Sequence, residues 1–408
     1  MAVSLCVAKA TETLGQRPKC IDLRLSANIL KNAMGVGIPG TQMVGLPIAV
    51  ALGALVGRSE YGLEVLKDSN AEAVEAGKQY IAENRITIGL KQDISEKLYI
   101  EVICTGESGD SSMAIIAQEH THFTYVSKTS ADGLCTELIN ETGHSAQVDE
   151  AEGDDGLNLH KVFEFATTTP IEELMFIQEA RRLNENASKE ALKGNYGHAL
   201  GKTLSRPLGR GIMGDSIFSH ILSATSSACD ARMAGAMIPV MSNSGSGNQG
   251  IAATMPVVVF AEENHNTDEE LTRALILSHL TAIYIKLSLG RLSALCGCVV
   301  ASTGSACGIT YLMGGNYNQV AYSVKNMIAN LAGMVCDGAK PSCALKVSSG
   351  VSTAVLSAML AIQNRHVSSV EGLIEDDVDR CIHNLTRIGA DGMNETDRMV
   401  LDIMTHKK

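Results

Sequence analysis

The apolar residues of this chain change period once, and that change constrains the fold more than any other feature. From Ile86 to Leu138 they alternate: Ile86-Thr-Ile-Gly-Leu, Leu98-Tyr-Ile-Glu-Val-Ile, Met113-Ala-Ile-Ile-Ala and Phe123-Thr-Tyr-Val are strand-like and separated by polar turns. Beyond Pro170 nearly every segment reads as helix: 171–186, 189–203, 217–236, 251–259, 268–289, 317–331, 343–363 and 374–388. The chain is therefore α+β: a small N-terminal domain over 1–165 with a mixed or antiparallel sheet, and a large all-helical C-terminal domain over 166–408. At 408 residues it is too long for one ordinary core, which agrees with two domains.

Ahead of the sheet, residues 1–16 look helical and open inside an apolar pattern with no cap residue, so the start reads as truncated. Cys20 to Leu25 alternates like a strand, Gly35 to Gly40 is a glycine-rich turn, Met43 to Val56 is an apolar helix with Thr41 as its cap, and Gly62 to Asn84 is an amphipathic helix. The acidic stretch Ala146 to Asn158 reads as a linker or exposed loop. No internal repeat of roughly 20 to 50 residues is visible.

Composition narrows the function. Apolar residues make up 45% and charged ones 19%, with 38 Gly, 17 Met and no Trp, which favours helices packed closely through small side chains. A net charge of −12 argues against a nucleic-acid or anionic-membrane surface, since both need a basic face. The most apolar stretches, 43–56 and 292–313, are interrupted by Gly, Ser, Thr and Cys and fall short of a clean spanning run of roughly 20 residues, so they read as core helices. Eleven cysteines without a charged-then-apolar leader read as reduced thiols, which points to the cytoplasm.

Two of those cysteines stand apart. In Gly333-Met-Val-Cys336-Asp-Gly-Ala-Lys-Pro-Ser-Cys343-Ala-Leu-Lys346 they flank a Gly/Pro turn, a placement that suits a metal. A third thiol comes from Cys296, Cys298 or Cys307, which spacing alone does not separate. Three thiolates on a four-iron cluster leave one iron free as a Lewis acid. A zinc site from Cys296, Cys298, Cys336 and Cys343 is the rival, though its gaps are not those of the usual zinc knuckle. Cys6, Cys20, Cys104, Cys135, Cys229 and Cys381 read as small core hydrophobes.

The loop Ser242-Asn243-Ser244-Gly245-Ser246-Gly247-Asn248-Gln249-Gly250 precedes a helical segment and so aims backbone N–H groups at an anion; a substrate carboxylate fits there. Similar loops serve pyridoxal-phosphate enzymes of the tryptophan-synthase-β type, but no lysine stands at the usual place upstream. Further candidates are Asp230 and Arg232, which sit two apart on a helix and cannot face the same way, together with His120, His279 and Lys346, the last a cation suited to balancing thiolates or a carboxylate.

These residues make the sequence resemble the L-cysteine desulfidase and serine dehydratase alpha-chain-like family, once named only as an uncharacterised protein family and related to iron–sulfur L-serine dehydratases. The resemblance runs over nearly the whole chain, through Lys31-Asn32-Ala-Met-Gly35-Val-Gly-Ile-Pro39-Gly40-Thr41, Met43-Val-Gly-Leu-Pro47, Gly62 to Asp68, Asp230-Ala-Arg232-Met, Met241 to Gly250, Leu292 to Cys298 and Gly333 to Lys346. It implies a [4Fe–4S] cluster on Cys298, Cys336 and Cys343, no pyridoxal phosphate, and β-elimination of L-cysteine to pyruvate, ammonia and hydrogen sulfide, or of L-serine with loss of water. It also implies a proton-accepting cysteine in a Gly-Cys-Thr-Glu-Pro motif ahead of the first helix. This chain opens at Met1-Ala-Val-Ser-Leu-Cys6, beyond that position, so no catalytic base is assigned and Cys6 does not take the role. The expectation is a start placed too far downstream, or an inactive amino-acid-binding relative. The partner expected is a small amino acid, with no nucleic acid or membrane, and a two-fold homodimer is the simplest self-association.

Overall fold

The computed structural model describes residues 1–94, 96–141, 156–290 and 293–407. Its six-stranded sheet has the order β2-β1-β3-β4-β5-β6, built from β1 (Cys20–Leu25), β2 (Ile86–Leu90), β3 (Tyr99–Thr105), β4 (Ser111–Ala117), β5 (Phe123–Thr129) and β6 (Cys135–Asn140). β3 to β6 form an antiparallel meander, whereas β1 pairs antiparallel with β3 and parallel with β2. A parallel pair needs a crossover. Here it is the helical stretch α2 (Ala27–Ala33), α3 (Leu46–Leu55) and α4 (Ala71–Ala82).

The alternation read in β1 buries Ile21, Leu23 and Leu25. They join one core with α1 (Ala2–Leu14) and α3. Small polar groups let these elements approach closely: the Ser4 hydroxyl donates to Ala49 O at 3.0 Å, the Ser112 hydroxyl to Ala10 O at 2.7 Å, and the Cys6 thiol to Ala114 O at 3.3 Å. Cys6 is a buried core thiol whose pKa burial pushes well up.

The remainder is helical: α5 (Leu159–Thr168), the short α6 (Ile171–Leu174), α7 (Gln178–Lys193), the short α8 (Leu200–Ser205) and α9 (Pro207–Met213), α10 (Ile217–Met233), α11 (Gly247–Glu263), α12 (Asp268–Leu289), α13 (Gly297–Leu312), α14 (Tyr317–Leu331), α15 (Cys343–Ile362), α16 (Val378–Arg387) and α17 (Asn394–Thr405). Most of them share a second core. α13 lies at its centre, and small residues place it there. A Cβ on Gly304 would collide with the Ser278 carbonyl of α12, and one on Gly308 would lie 2.9 Å from Ala274 O, so the two backbones meet without side chains between them. α15 is the one described helix long and apolar enough to cross a membrane, and 50% of its apolar window is buried inside the protein against α10, α13 and α14.

Several local expectations are corrected. Residues 62–84 are not one helix: Gly62 takes φ 55°, a 3-10 turn ends at Glu64, and α4 starts only after Asn70, whose side chain accepts from Ala73 N at 2.9 Å. Thr41 caps no helix. Its hydroxyl donates to Ile38 O at 2.8 Å, while Gly45 stands at the start of α3. The helix expected over 171–186 breaks into α6, a 3-10 turn and α7, which runs on to Lys193 before Gly194 ends it. β6 and α17 lay outside the expected elements; both present mostly exposed side chains. Cys20 and Cys135 are exposed strand residues, not core hydrophobes. The linker expected at 146–158 lies, up to residue 155, outside the described residues.

His220 on α10 fastens the start of that helix to the end of α11. Its Nε2 meets Asp215 Oδ1 at 2.6 Å and its Nδ1 meets Glu263. Burial alone would lower its pKa, but the hydrogen bonds to the two carboxylates outweigh burial and hold it above its ordinary value. A pKa raised by folding stabilises fully below the unfolded value of about 6.5, and the contribution fades as pH rises through the folded value. His220→Asn is therefore expected to lower the melting temperature most at acid pH, by the equivalent of about 1 kcal/mol or less given the partial exposure, and least at alkaline pH. Melting curves of both proteins across that range check the sign.

Candidate active site

Two structures face each other where the sheet meets the helical core. The first is the turn before α11. Asn243 N donates to Ser246 O at 3.1 Å and Ser246 N returns to Asn243 O at 3.0 Å, with Ser244 at φ 49° and Gly245 at φ 79° between them. Both central residues lie in the left-handed region, as in a type I′ turn, which explains a small flexible pair there. Residues 243–246 thus form a tight turn. The Ser246 hydroxyl then caps α11 through Gln249 N.

The turn is anchored from beneath. Buried Asn243 donates through Nδ2 to His279 O at 3.1 Å and to His279 Nδ1 at 3.2 Å. With Nδ1 accepting, the proton of the neutral ring sits on Nε2 and reaches the Thr254 hydroxyl at 2.9 Å, which itself donates to Gly250 O at 2.7 Å. Burial lowers the His279 pKa to about 4, so the ring stays neutral and serves as a support for the turn. From the sheet side, the His120 ring packs on the turn: a Cβ at Gly245 would lie 2.9 Å from its Cε1. Ser242 points outward.

Arg232, at the end of α10, crosses the front of α11. Its Nη1 donates to Asn248 Oδ1 at 3.0 Å, and the guanidinium passes so close to Gly247 that a Cβ there would strike Nε. Burial lowers its pKa, with Cys229 and Cys343 near enough to oppose the fall. The Met1 amino group lies in the same region; burial first, and Arg232 second, bring its pKa down to about 6. Asp230 does turn the other way, as the two-residue offset requires. Its Oδ2 accepts from Gly201 N at 3.0 Å, and burial raises its pKa.

The second structure holds the thiols. Residues 294–296 and 334–336 pair as an antiparallel bridge, with Cys296 N on Met334 O at 2.9 Å and Cys336 N on Ala294 O at 2.6 Å. That pairing brings the Cys296 thiol to the Cys336 sulfur. The hydrogen bond it donates draws the Cys336 thiol well below its ordinary value against the effect of burial, with Lys31 and Lys346 nearby adding to the fall, and holds Cys296 up. Cys298, one residue on in α13, donates to Lys346 O at 3.1 Å; burial pushes its pKa up to about 11. Gly350 gives it room, since a Cβ there would lie 2.5 Å from the sulfur. Cys343 opens α15, with the Lys340 and Lys346 ammoniums within electrostatic reach.

Cations gather around these sulfurs. Lys346 pairs with Asp337 and donates to Val335 O at 2.7 Å; Lys340 reaches the same carboxylate at 2.6 Å. Burial would raise the Asp337 pKa, but the two lysines outweigh it and hold the pKa at about 2. Lys31 of α2 is 1% exposed, pairs with Asp397 of α17 and reaches Cys336 O at 3.5 Å. Sequence reasoning treated Lys31 as part of a motif and set Cys296 aside. Lys31 gains its place through contacts with Cys336 and Asp397, hundreds of residues away, and Cys296 through the bridge to 334–336, and no local pattern announces either.

Cys298, Cys336 and Cys343 thus surround the first turn of α15, but among the described residues no three His, Cys, Asp or Glu side chains close on a single ion. The donor set nonetheless suits a multinuclear group, whose irons occupy separate corners: thiols, a helix N-terminus and lysines are what stabilise thiolate ligands.

The serine dehydratase alpha chain family matches residues 60–402. The chain belongs to that family. An uncharacterised protein of Bacteroides thetaiotaomicron, named UPF0597, is 67% identical over 407 residues, covering 100% of this chain and 93% of the relative. Its counterpart in Parabacteroides distasonis is 58% identical, covering 100% of this chain and 94% of the relative, and that in Porphyromonas gingivalis is 51% identical with the same coverages.

Proposed function

We propose that the chain is an iron–sulfur-dependent amino-acid lyase that eliminates the β-substituent of L-cysteine, giving pyruvate, ammonia and hydrogen sulfide, with L-serine as the alternative substrate. The observation that carries this reading is Arg232, which grips Asn248 at the start of α11 with Cys229 and Cys343 close enough to act on its charge. A carboxylate held by that guanidinium and by the first N–H groups of α11 leaves the β-carbon directed at the sulfurs.

Cys298, Cys336 and Cys343 would hold the [4Fe–4S] cluster. Bound there, it would supply Lewis-acid chemistry that makes sulfide or hydroxide a better leaving group. The lysines would offset the thiolate charge: Lys346 lies beside Cys298 and Cys343, and Lys31 beside Cys336. His279 and Asn243 keep the carboxylate turn in one shape, so little ordering is left for binding to complete.

Anaerobic reconstitution with iron and sulfide, followed by assay with L-cysteine and L-serine, tests the proposal. The expected result is a brown protein releasing hydrogen sulfide and pyruvate from L-cysteine, with less pyruvate from L-serine. Pyruvate from L-serine alone would move the assignment to the serine reaction. Binding of L-cysteine with turnover of neither compound, in a reconstituted chain extended upstream to include the Gly-Cys-Thr-Glu-Pro motif, would establish the inactive-relative reading instead.

A further inference from the structure

Gln249 is the third residue of α11, and its backbone N–H is taken by the Ser246 cap. Its side chain is 5% exposed, and among the described residues Oε1 accepts no hydrogen bond. A buried carbonyl oxygen without a donor is a costly state in a folded protein.

The amide has a defined position. It rests on Gly297, where a Cβ would lie 2.8 Å from Gln249 Cδ and 2.9 Å from Nε2. Gly297 separates Cys296 from Cys298, so the amide bridges the space from the carboxylate turn to the thiols. Its neighbour Asn248 is the residue that Arg232 grips.

An α-amino acid carries its carboxylate and ammonium on one carbon and its leaving group on the next. With the carboxylate on Arg232 and the α11 turn and the β-substituent toward the sulfurs, the ammonium falls between them, beside Gln249. An ammonium has three donors and no acceptor, and a carbonyl oxygen free of other donors satisfies one of them. A neutral amide also suits this place better than a carboxylate, which would compete with the substrate for Arg232.

We infer that Gln249 Oε1 receives the α-ammonium of the bound amino acid and is the residue that distinguishes amino acids from simple carboxylic acids; the inference rests on the proposed function for the place of the carboxylate. The test compares L-cysteine with 3-mercaptopropanoate, which differs from it only by the ammonium, in binding to the chain measured by calorimetry and ligand-induced thermal shift. The native protein is expected to bind L-cysteine about 10- to 100-fold tighter. Gln249→Leu is expected to bring that ratio near one by weakening L-cysteine alone, and Gln249→Glu, which keeps an acceptor, to preserve the ratio. Should the leucine variant fail to fold, Gln249→Met carries the same comparison. A preference that survives loss of the amide, or native protein that binds both compounds equally, overturns the ammonium assignment and leaves the carboxylate site standing. Native protein that binds neither compound overturns both.

Discussion

Arg232→Leu is expected to weaken L-cysteine binding by about 100-fold or more while leaving the fold intact. The guanidinium lies at the start of α11, and among the described residues its hydrogen-bond partners, Asn248 Oδ1 and the Met233 sulfur, are neutral, so its charge is available to a substrate. Removing one member of a hydrogen-bonded charge pair in a desolvated site costs about 2 to 5 kcal/mol, and about 2.7 kcal/mol already corresponds to ~100-fold. Arg232→Lys is expected to restore only part of this, because an ammonium lacks the planar fork that meets both carboxylate oxygens. Titration with L-cysteine and with 3-mercaptopropanoate reads the effect: both weaken together, since both carry the carboxylate. An unchanged affinity for both would remove Arg232 from the site.

Gly250→Ala is expected to destabilise the protein by about 3 kcal/mol or more, the upper end for forcing atoms into a packed interior. A Cβ at this position would fall inside the Met241 carbonyl and lie 3.0 Å from the Ser242 backbone, in the segment entering the turn. That backbone cannot withdraw, since Met241 N is tied to buried Asn184 Oδ1 at 3.0 Å and Asn184 Nδ2 donates to Thr254 at 3.0 Å. Gly211 of α9 provides the contrast. It has nothing within 4 Å of the added carbon, and alanine there is expected to be neutral or stabilising by about 0.5 to 1 kcal/mol. Urea denaturation of the two variants separates a steric cost at the turn from a general effect of replacing a helical glycine.

How far the site could be read in advance depended on the range of the forces that build it. α12 and α14 run over 268–289 and 317–331, as their periodicity indicates, because each carries its own start signal: capping boxes at Thr267 with Glu270 and at Asn316 with Gln319. The start of α11 was not legible in this way: the stretch read as loop up to Gly250 is already helical from Gly247, where Ser246 caps it without a reciprocal partner. Residues 62–84 misled because Gly62 adopts a positive φ at the head of the pattern and the regular helix begins only after the Asn70 cap, so one apolar period covers a turn and a helix. Within the site, Cys336 and Cys343 were marked by their turn, but the choice between Cys296 and Cys298 was not. The bridge between 294–296 and 334–336 gives these two thiols different neighbours, one facing Cys336 and the other Lys346. His120, Lys31 and Gln249 acquire their places only when sheet and helices come together, which no window along the chain displays.

The central claim is that Cys298, Cys336 and Cys343 hold one iron–sulfur cluster beside the carboxylate turn. Iron and acid-labile sulfide measured per chain after anaerobic reconstitution test it most directly, in the native protein and in the three single cysteine-to-serine variants, with Cys381→Ser as a control remote from the turn. About four irons per native chain are expected, with the absorption of a [4Fe–4S] centre, a marked loss of iron in each of the three variants, and no loss in the control. Native protein that takes up no iron, or uptake that survives all three substitutions, would contradict it.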